Sequence, residues 1–158
     1  MKKNLDSMKV ADVMTRDVIA VSESDKISDI AQLLTTKKIH GVPVIDNENR
    51  VVGIITETDF FTKGGDSLYI PSFIDLMRKN KLFRVASLKR KMQLKKILKA
   101  DAKDIMSRGC ITISPEADLN ELLEILKRKG LHTVPVVDDD GVLKGIITLA
   151  DIISLIKV

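Results

Sequence analysis

Apolar residues at Ile27, Ile30, Ala31, Leu33 and Leu34 recur at helical spacing, directly after the polar cluster Ser22-Glu23-Ser24-Asp25. That pattern predicts an amphipathic helix capped by Ser22 or Ser24, with acids in its first turn and a basic end at Thr35-Thr36-Lys37-Lys38. Upstream, Val10, Val13 and Met14 fit a short helical turn, and Val18-Ile19-Ala20-Val21 fits a short strand. Downstream, Val42-Pro43-Val44-Ile45 and Val51-Val52-Gly53-Ile54-Ile55 read as strands around the polar turn Asp46 to Arg50. Pro43 cannot donate to a ladder, so it is expected at a strand start or an edge. The second strand is apolar on both faces and is expected to be central, with Gly53 marking a bulge or the close approach of another backbone. Thr56-Glu57-Thr58-Asp59 then opens a helix through Phe60 and Phe61.

The same order returns later in the chain. His40-Gly41-Val42-Pro43-Val44-Ile45-Asp46 is matched by His132-Thr133-Val134-Pro135-Val136-Val137-Asp138 (132 − 40 = 92), and Gly53 to Asp59 by Gly145 to Asp151 (151 − 59 = 92). Ala102 to Met106 repeats the short turn, Cys110 to Ile113 the strand, and Ser114-Pro115-Glu116 the cap and first turn. Leu119, Leu122, Leu123, Ile125 and Leu126 mark the second amphipathic helix, and Leu149 to Ile156 the closing one. Roughly a third of the aligned positions are identical without a gap, which identifies an internal duplication. Each unit reads β-α-β-β-α and is too small to bury its own sheet face well. The expected fold is therefore α+β, with two repeats packed sheet to sheet about a pseudo-two-fold axis. Residues 8–61 and 102–158 form the repeats, and 62–101 a helical insert between them.

Charge is concentrated in that insert. The chain carries +4 overall, yet ten Lys or Arg and no acid fall between Leu76 and Ala100, leaving 16 bases against 22 acids elsewhere, or −6. An electrostatic partner would therefore concern this segment alone. Aromatic residues make up 3% of the chain, with Phe73 and Phe83 the rings near the basic run, so base stacking on nucleic acid is poorly supported. There is no long apolar run and no signal-like start, which makes the cytoplasm the expected location and excludes a membrane span. The lone Cys110 excludes an internal disulfide and argues against a thiolate zinc site.

Two residue sets could carry chemistry. In the Gly-x-x-Thr-x-x-Asp pattern, Thr56 and Asp59, like Thr148 and Asp151, can form a capping box that needs no ligand. The same corner can instead bind an anion, with the carboxylate accepting from two ribose hydroxyls. His40 and His132 stand at helix-to-strand junctions without further metal-ligating residues at suitable spacing. No catalytic triad, phosphate-cradling glycine loop or deaminase signature is present, so the chain is not read as an enzyme.

The order Met-Thr/Ser, a strand ending in Ser22 or Ser114, His-x-Val-Pro-Val-apolar-Asp and Gly-Ile-Ile-Thr-x-x-Asp resembles the CBS domain, and two copies resemble a CBS pair, or Bateman module. The resemblance implies a flat homodimerising disc that binds adenine nucleotides in clefts between repeats, regulates an unidentified protein effector and serves in energy sensing. AMP, ADP, ATP and S-adenosylmethionine are the implied ligands, with no catalytic cofactor. It further implies that Asp59 and Asp151 hold ribose hydroxyls, that Thr56 and Thr148 lie by ribose or phosphate, and that Ile19 and Ile111 lie against adenine. His40 and His132 occupy positions that carry basic phosphate contacts in a kinase-regulating member of the family. The next position can be Arg there, whereas Gly41 and Thr133 follow here, which weakens the case for a triphosphate held by the repeats alone. Arg16, Arg108, or Arg84 and Lys89 of the insert would have to supply the missing charge. The alternative is a non-catalytic interaction module whose basic insert docks a protein or nucleic-acid partner. Apolar Phe60, Phe61, Ile152, Ile153 and Leu155 are the expected dimer-forming residues.

Overall fold

The computed structural model describes residues 7–59, 92, 95–96 and 98–156. The expectations for Phe60, Phe61, Phe73, Phe83, Arg84 and Lys89, and nearly all of those for the insert, lie outside these residues. Residues 92, 95, 96, 98 and 99 are helical.

The fold is α+β. In chain order the elements are α1 (Val10–Val13), β1 (Val21–Ser22), α2 (Ile27–Lys37), β2 (Gly41–Ile45), β3 (Val51–Thr56), α3 (Ala102–Ile105), β4 (Ser107–Arg108), α4 (Leu119–Lys129), β5 (Thr133–Val137), β6 (Leu143–Thr148) and α5 (Leu149–Ile156). One sheet has the order β1-β2-β3-β4, and β5 and β6 form an antiparallel pair. As its doubly apolar sequence requires, β3 lies inside its sheet.

Two compact units are built from these elements, and neither is one uninterrupted repeat. The first comprises Met1–Ile19, Ile45–Val52 and Gly109–Val158, and the second comprises Ala20–Val44 and Gly53–Arg108. In the first, α1 is tied to the entry of α4: Val10 N–H donates to Ala117 O at 3.0 Å and Leu119 N–H to Met8 O at 3.0 Å. Just after α1, Thr15 exchanges two 2.9 Å backbone bonds with Ile146 of β6. In the second, α3 is tied to the entry of α2 by Ala102 N–H to Asp25 O at 2.8 Å, and β4 pairs antiparallel with β3 through Gly53 opposite Arg108 and Ile54 opposite Ser107. Each lead-in helix thus packs on the copy that it does not precede in sequence.

Each unit has its own core. Val10, Leu119, Leu122, Val134, Val136 and Ile147 are fully buried in the first, with Met8, Met14, Ile113 and Ile152 around them. Ile27, Ile30, Val42, Val44, Ile55 and Ala102 are buried in the second. A fully buried aliphatic side chain contributes about 1.5–3 kcal/mol. These residues therefore fix which face of each helix turns inward.

Several local expectations are corrected. Pro43 is the third residue of β2, inside its sheet rather than at a start or edge. Its counterpart Pro135, flanked by β6 on one side and by the single bridge of Ile113 to Val136 on the other, shows how a strand with neighbours on both sides accepts proline. Pro135 lies opposite Ile146, whose N–H and C=O both turn to Thr15, while on its other side its carbonyl accepts from Ile113 N–H at 3.1 Å. No neighbour calls on the missing donor. The helix starts also move. Asp25 accepts from Ser22 N–H at 2.8 Å and closes a turn of its own, so α2 begins at Ile27 after Lys26. Ser114 likewise serves a turn, accepting from Glu116 N–H at 3.2 Å, and α4 begins at Leu119. The strand expected over Cys110 to Ile113 is reduced to Ile113, which pairs with Val136, while β4 forms where none was expected. Of the residues assigned to a dimer surface, Ile152 is buried and Leu155 packs on the same core, whereas Ile153 is 45% exposed.

Candidate functional site

The strand-to-helix corner after β3 carries the carboxylate half of a capping box. Thr56 N–H donates to Asp59 Oδ2 at 2.8 Å, and the Thr56 hydroxyl donates to the same oxygen at 3.1 Å. After β6, Thr148 N–H and its hydroxyl each donate to Asp151 Oδ2 at 2.7 Å, and Asp151 N–H returns to Thr148 Oγ1 at 3.3 Å. The bonds at Thr148 and Asp151 are reciprocal, as the Thr-x-x-Asp spacing predicts. Both corners pin a carboxylate at the end of a strand with one oxygen committed to the backbone.

Each histidine is held beside its own corner by a main-chain bond. Glu57 N–H donates to His40 O at 3.1 Å, and Leu149 N–H donates to His132 O at 2.9 Å. The structure therefore brings His40, Thr56 and Asp59 together in the second unit, and His132, Thr148 and Asp151 together in the first. A carboxylate acceptor, a hydroxyl and an imidazole at one corner can receive a vicinal diol and an adjoining anionic group. Ile19 is exposed and Ile111 half-buried; both belong to the first unit and neither enters the hydrogen-bonded corners.

Three polar neighbours escaped the assignment of site residues. Ser107 Oγ donates to Asp59 Oδ1 at 2.8 Å, Glu57 Oε2 stands 3.2 Å from His40 Nδ1, and the Thr58 and Thr56 hydroxyls are 2.7 Å apart. Ser107 left a signal, since Met106-Ser107-Arg108 repeats Met14-Thr15-Arg16. Its contact to Asp59 spans 48 residues and could not be read from local pattern. Of the arginines considered for phosphate, Arg108 lies 3.9 Å from Glu23, while Arg16 donates to Ala11 O at 3.1 Å.

Among the described residues, no group of three or more His, Cys, Asp or Glu could hold a metal ion, and no helix is long and apolar enough to cross a membrane. Burial pushes the Cys110 thiol above its ordinary pKa, opposite to what a reactive cysteine needs.

The pattern described as CBS domain matches residues 10–64 and 102–158. An uncharacterised protein of Methanocaldococcus jannaschii is 32% identical over 157 residues, covering 96% of this chain and 92% of that one. The inosine-5'-monophosphate dehydrogenase of the same organism is 30% identical over 146 residues, but the match spans only 23% of that enzyme. Among solved structures, the CBS domain of a CBS domain containing membrane protein from Sphaerobacter thermophilus matches with a TM-score of 0.75 at 26% identity, covering 96% of this chain and 89% of that one. CBSX2 in complex with AMP has a TM-score of 0.68 at 24% identity, covering 94% and 95%. The CBS domain pair of protein MJ0100, in complex with 5-methylthioadenosine and S-adenosyl-L-methionine, has a TM-score of 0.65 at 23% identity, covering 94% and 95%. The last two likenesses carry the fold alone.

Proposed function

The chain belongs to the CBS domain family, carrying two copies of the domain, and on that premise we propose that it is a regulatory module that binds an adenine nucleotide or S-adenosylmethionine. The observation that carries this reading is the corner itself. A carboxylate is fixed by its own cap beside a threonine hydroxyl and a histidine, the donor and acceptor set that a ribose and its 5'-substituent need. Proteins of the same fold that hold AMP, or methylthioadenosine with S-adenosylmethionine, support it. Binding would signal to a protein effector through a homodimer, with exposed Leu149 and Ile153 on α5 available for that contact. Matching a small part of a dehydrogenase carries no catalytic role to this chain.

The test is calorimetric titration of the full chain with AMP, ATP and S-adenosylmethionine, after extraction of denatured protein has excluded a copurified ligand. Micromolar binding of one of them is expected. No heat with any of the three would refute the reading and turn attention to the basic run between Leu76 and Ala100, whose ten cations suit an acidic partner.

A further inference from the structure

The two corners are copies in sequence but not in bonding. We propose that only the corner in the first unit, formed by Thr148 and Asp151 with His132, Thr15 and Arg16, seats the nucleotide, and that Ser107 and Glu57 have turned its copy at Thr56 and Asp59 into a structural clasp. This deepens the nucleotide-binding reading above and rests on it.

Asp59 is 6% exposed, and both of its carboxylate oxygens are engaged, Oδ2 by Thr56 and Oδ1 by the Ser107 hydroxyl at 2.8 Å. A ribose diol would have to share a buried oxygen already held by the hydroxyl that ties β4 to this corner. Asp151 is half-buried, and only its Oδ2 accepts hydrogen bonds among the described residues. The position equivalent to Ser107 is Thr15 (107 − 15 = 92), which is exposed and makes no side-chain hydrogen bond among the described residues. An acceptor oxygen and a hydroxyl are therefore available in the first unit where the second has joined them to each other.

Charge differs in the same sense. Glu57 sits against the His40 ring at 3.2 Å, where its carboxylate would oppose a phosphate; the equivalent residue beside His132 is Leu149 (149 − 57 = 92). Glu23 stands 3.9 Å from Arg108; its equivalent is Pro115 (115 − 23 = 92), and Arg16 makes no ion pair among the described residues. Thr58, bonded to Thr56, is replaced by Ala150. Asp17, where the other copy has Gly109, is a change of the opposite sign. On balance the second unit has acids facing its histidine and arginine, and the first has none at the equivalent positions.

The experiment is titration with AMP of the wild-type chain and of Asp59→Ala, Asp151→Ala and the double variant Glu57→Leu/Ser107→Ala. One AMP per wild-type chain is expected, weakened about tenfold or more by Asp151→Ala, the usual consequence of losing a charge-assisted hydrogen bond, and retained in Asp59→Ala. The double variant should gain a second, weaker site. If Asp151→Ala fails to fold, His132→Ala carries the same test, because its ring is exposed. Two AMP per wild-type chain, or loss confined to Asp59→Ala, would overturn the asymmetry, whereas absence of binding by every chain, with AMP and then with ATP and S-adenosylmethionine, would overturn the nucleotide reading itself. Thermal melting without ligand reads the clasp: Ser107→Ala should lower the melting temperature and Thr15→Ala should leave it in place. Equal shifts would refute the clasp.

Discussion

Replacing Gly53 by alanine probes how the second repeat's lead-in meets β3. A Cβ there would stand 2.8 Å from Met106 Sδ, 3.1 Å from Met106 Cγ and 2.9 Å from the Ser107 carbonyl oxygen. Unstrained carbon contacts lie at about 3.5–4.0 Å, so something must move. The thioether can swing aside. The carbonyl is held by the pairing of Gly53 with Arg108 and Ile54 with Ser107, and cannot retreat without opening β4 from β3. Overpacking costs about 1–3 kcal/mol, and involvement of backbone places this case in the upper half of that range. Losing a glycine from the unfolded chain returns about 0.4–1 kcal/mol. A net loss of about 1–2.5 kcal/mol is expected, which at a urea slope of about 1–3 kcal/mol/M lowers the midpoint by about 0.3–2.5 M. Urea melts followed by circular dichroism would measure it. Met106→Ala in a double-mutant cycle should recover only the thioether's share of the clash. A loss below about 0.5 kcal/mol, or complete recovery by Met106→Ala, would refute the argument that the backbone carbonyl sets the limit.

Lys38 ends α2 in the left-handed region at φ 53°, and its counterpart in α4 is Gly130 at φ 62°. A β-carbon in that region costs about 1–2 kcal/mol and glycine's added chain entropy about 0.5–1, so Lys38→Gly should raise stability by up to about 1.5 kcal/mol in the same urea assay, and a loss would count against it. Asp138 accepts from Val142 N–H and Asp140 N–H and pairs with Lys144 at 3.1 Å, so its pKa is lowered, chiefly by the Val142 bond. The backbone bond from Arg50 lowers Asp46, and the Lys26 hydrogen bond lowers Asp101. A carboxylate with a depressed folded-state pKa contributes stability that is complete above its unfolded value of about 3.9 and lost as pH falls through its folded value. Urea midpoints measured against pH should therefore fall below about pH 4, and Asp138→Asn should flatten that fall; an unchanged acid limb would exclude the contribution of Asp138.

Periodicity made most of this architecture legible. The interval of 92 residues and the apolar spacing located both amphipathic helices and the paired strands, because a buried face imposes its period directly on sequence. Helix starts were misplaced for a physical reason. Ser22, Asp25 and Ser114 have cap chemistry, but that chemistry closed turns ahead of the helices instead. Thr56–Asp59 and Thr148–Asp151 were readable as pairs since their bonds span three residues. Ser107 on Asp59 and Thr15 on Ile146 were not, because contacts across 48 or more residues leave no local period. Proline in β2 was misjudged because the rule against it presumes a donor is wanted on each side.

The crossed packing of α1 and α3 has a genetic consequence. Duplication could generate this chain, but once each lead-in had docked on the other copy, fission would part it from the element it rests on. A fragment ending within residues 62–101 would carry α1 without the β6 it rests on, and the remaining fragment would lack the same support in reverse. The halves are free to diverge in what they bind, yet each completes a unit only with the other's lead-in.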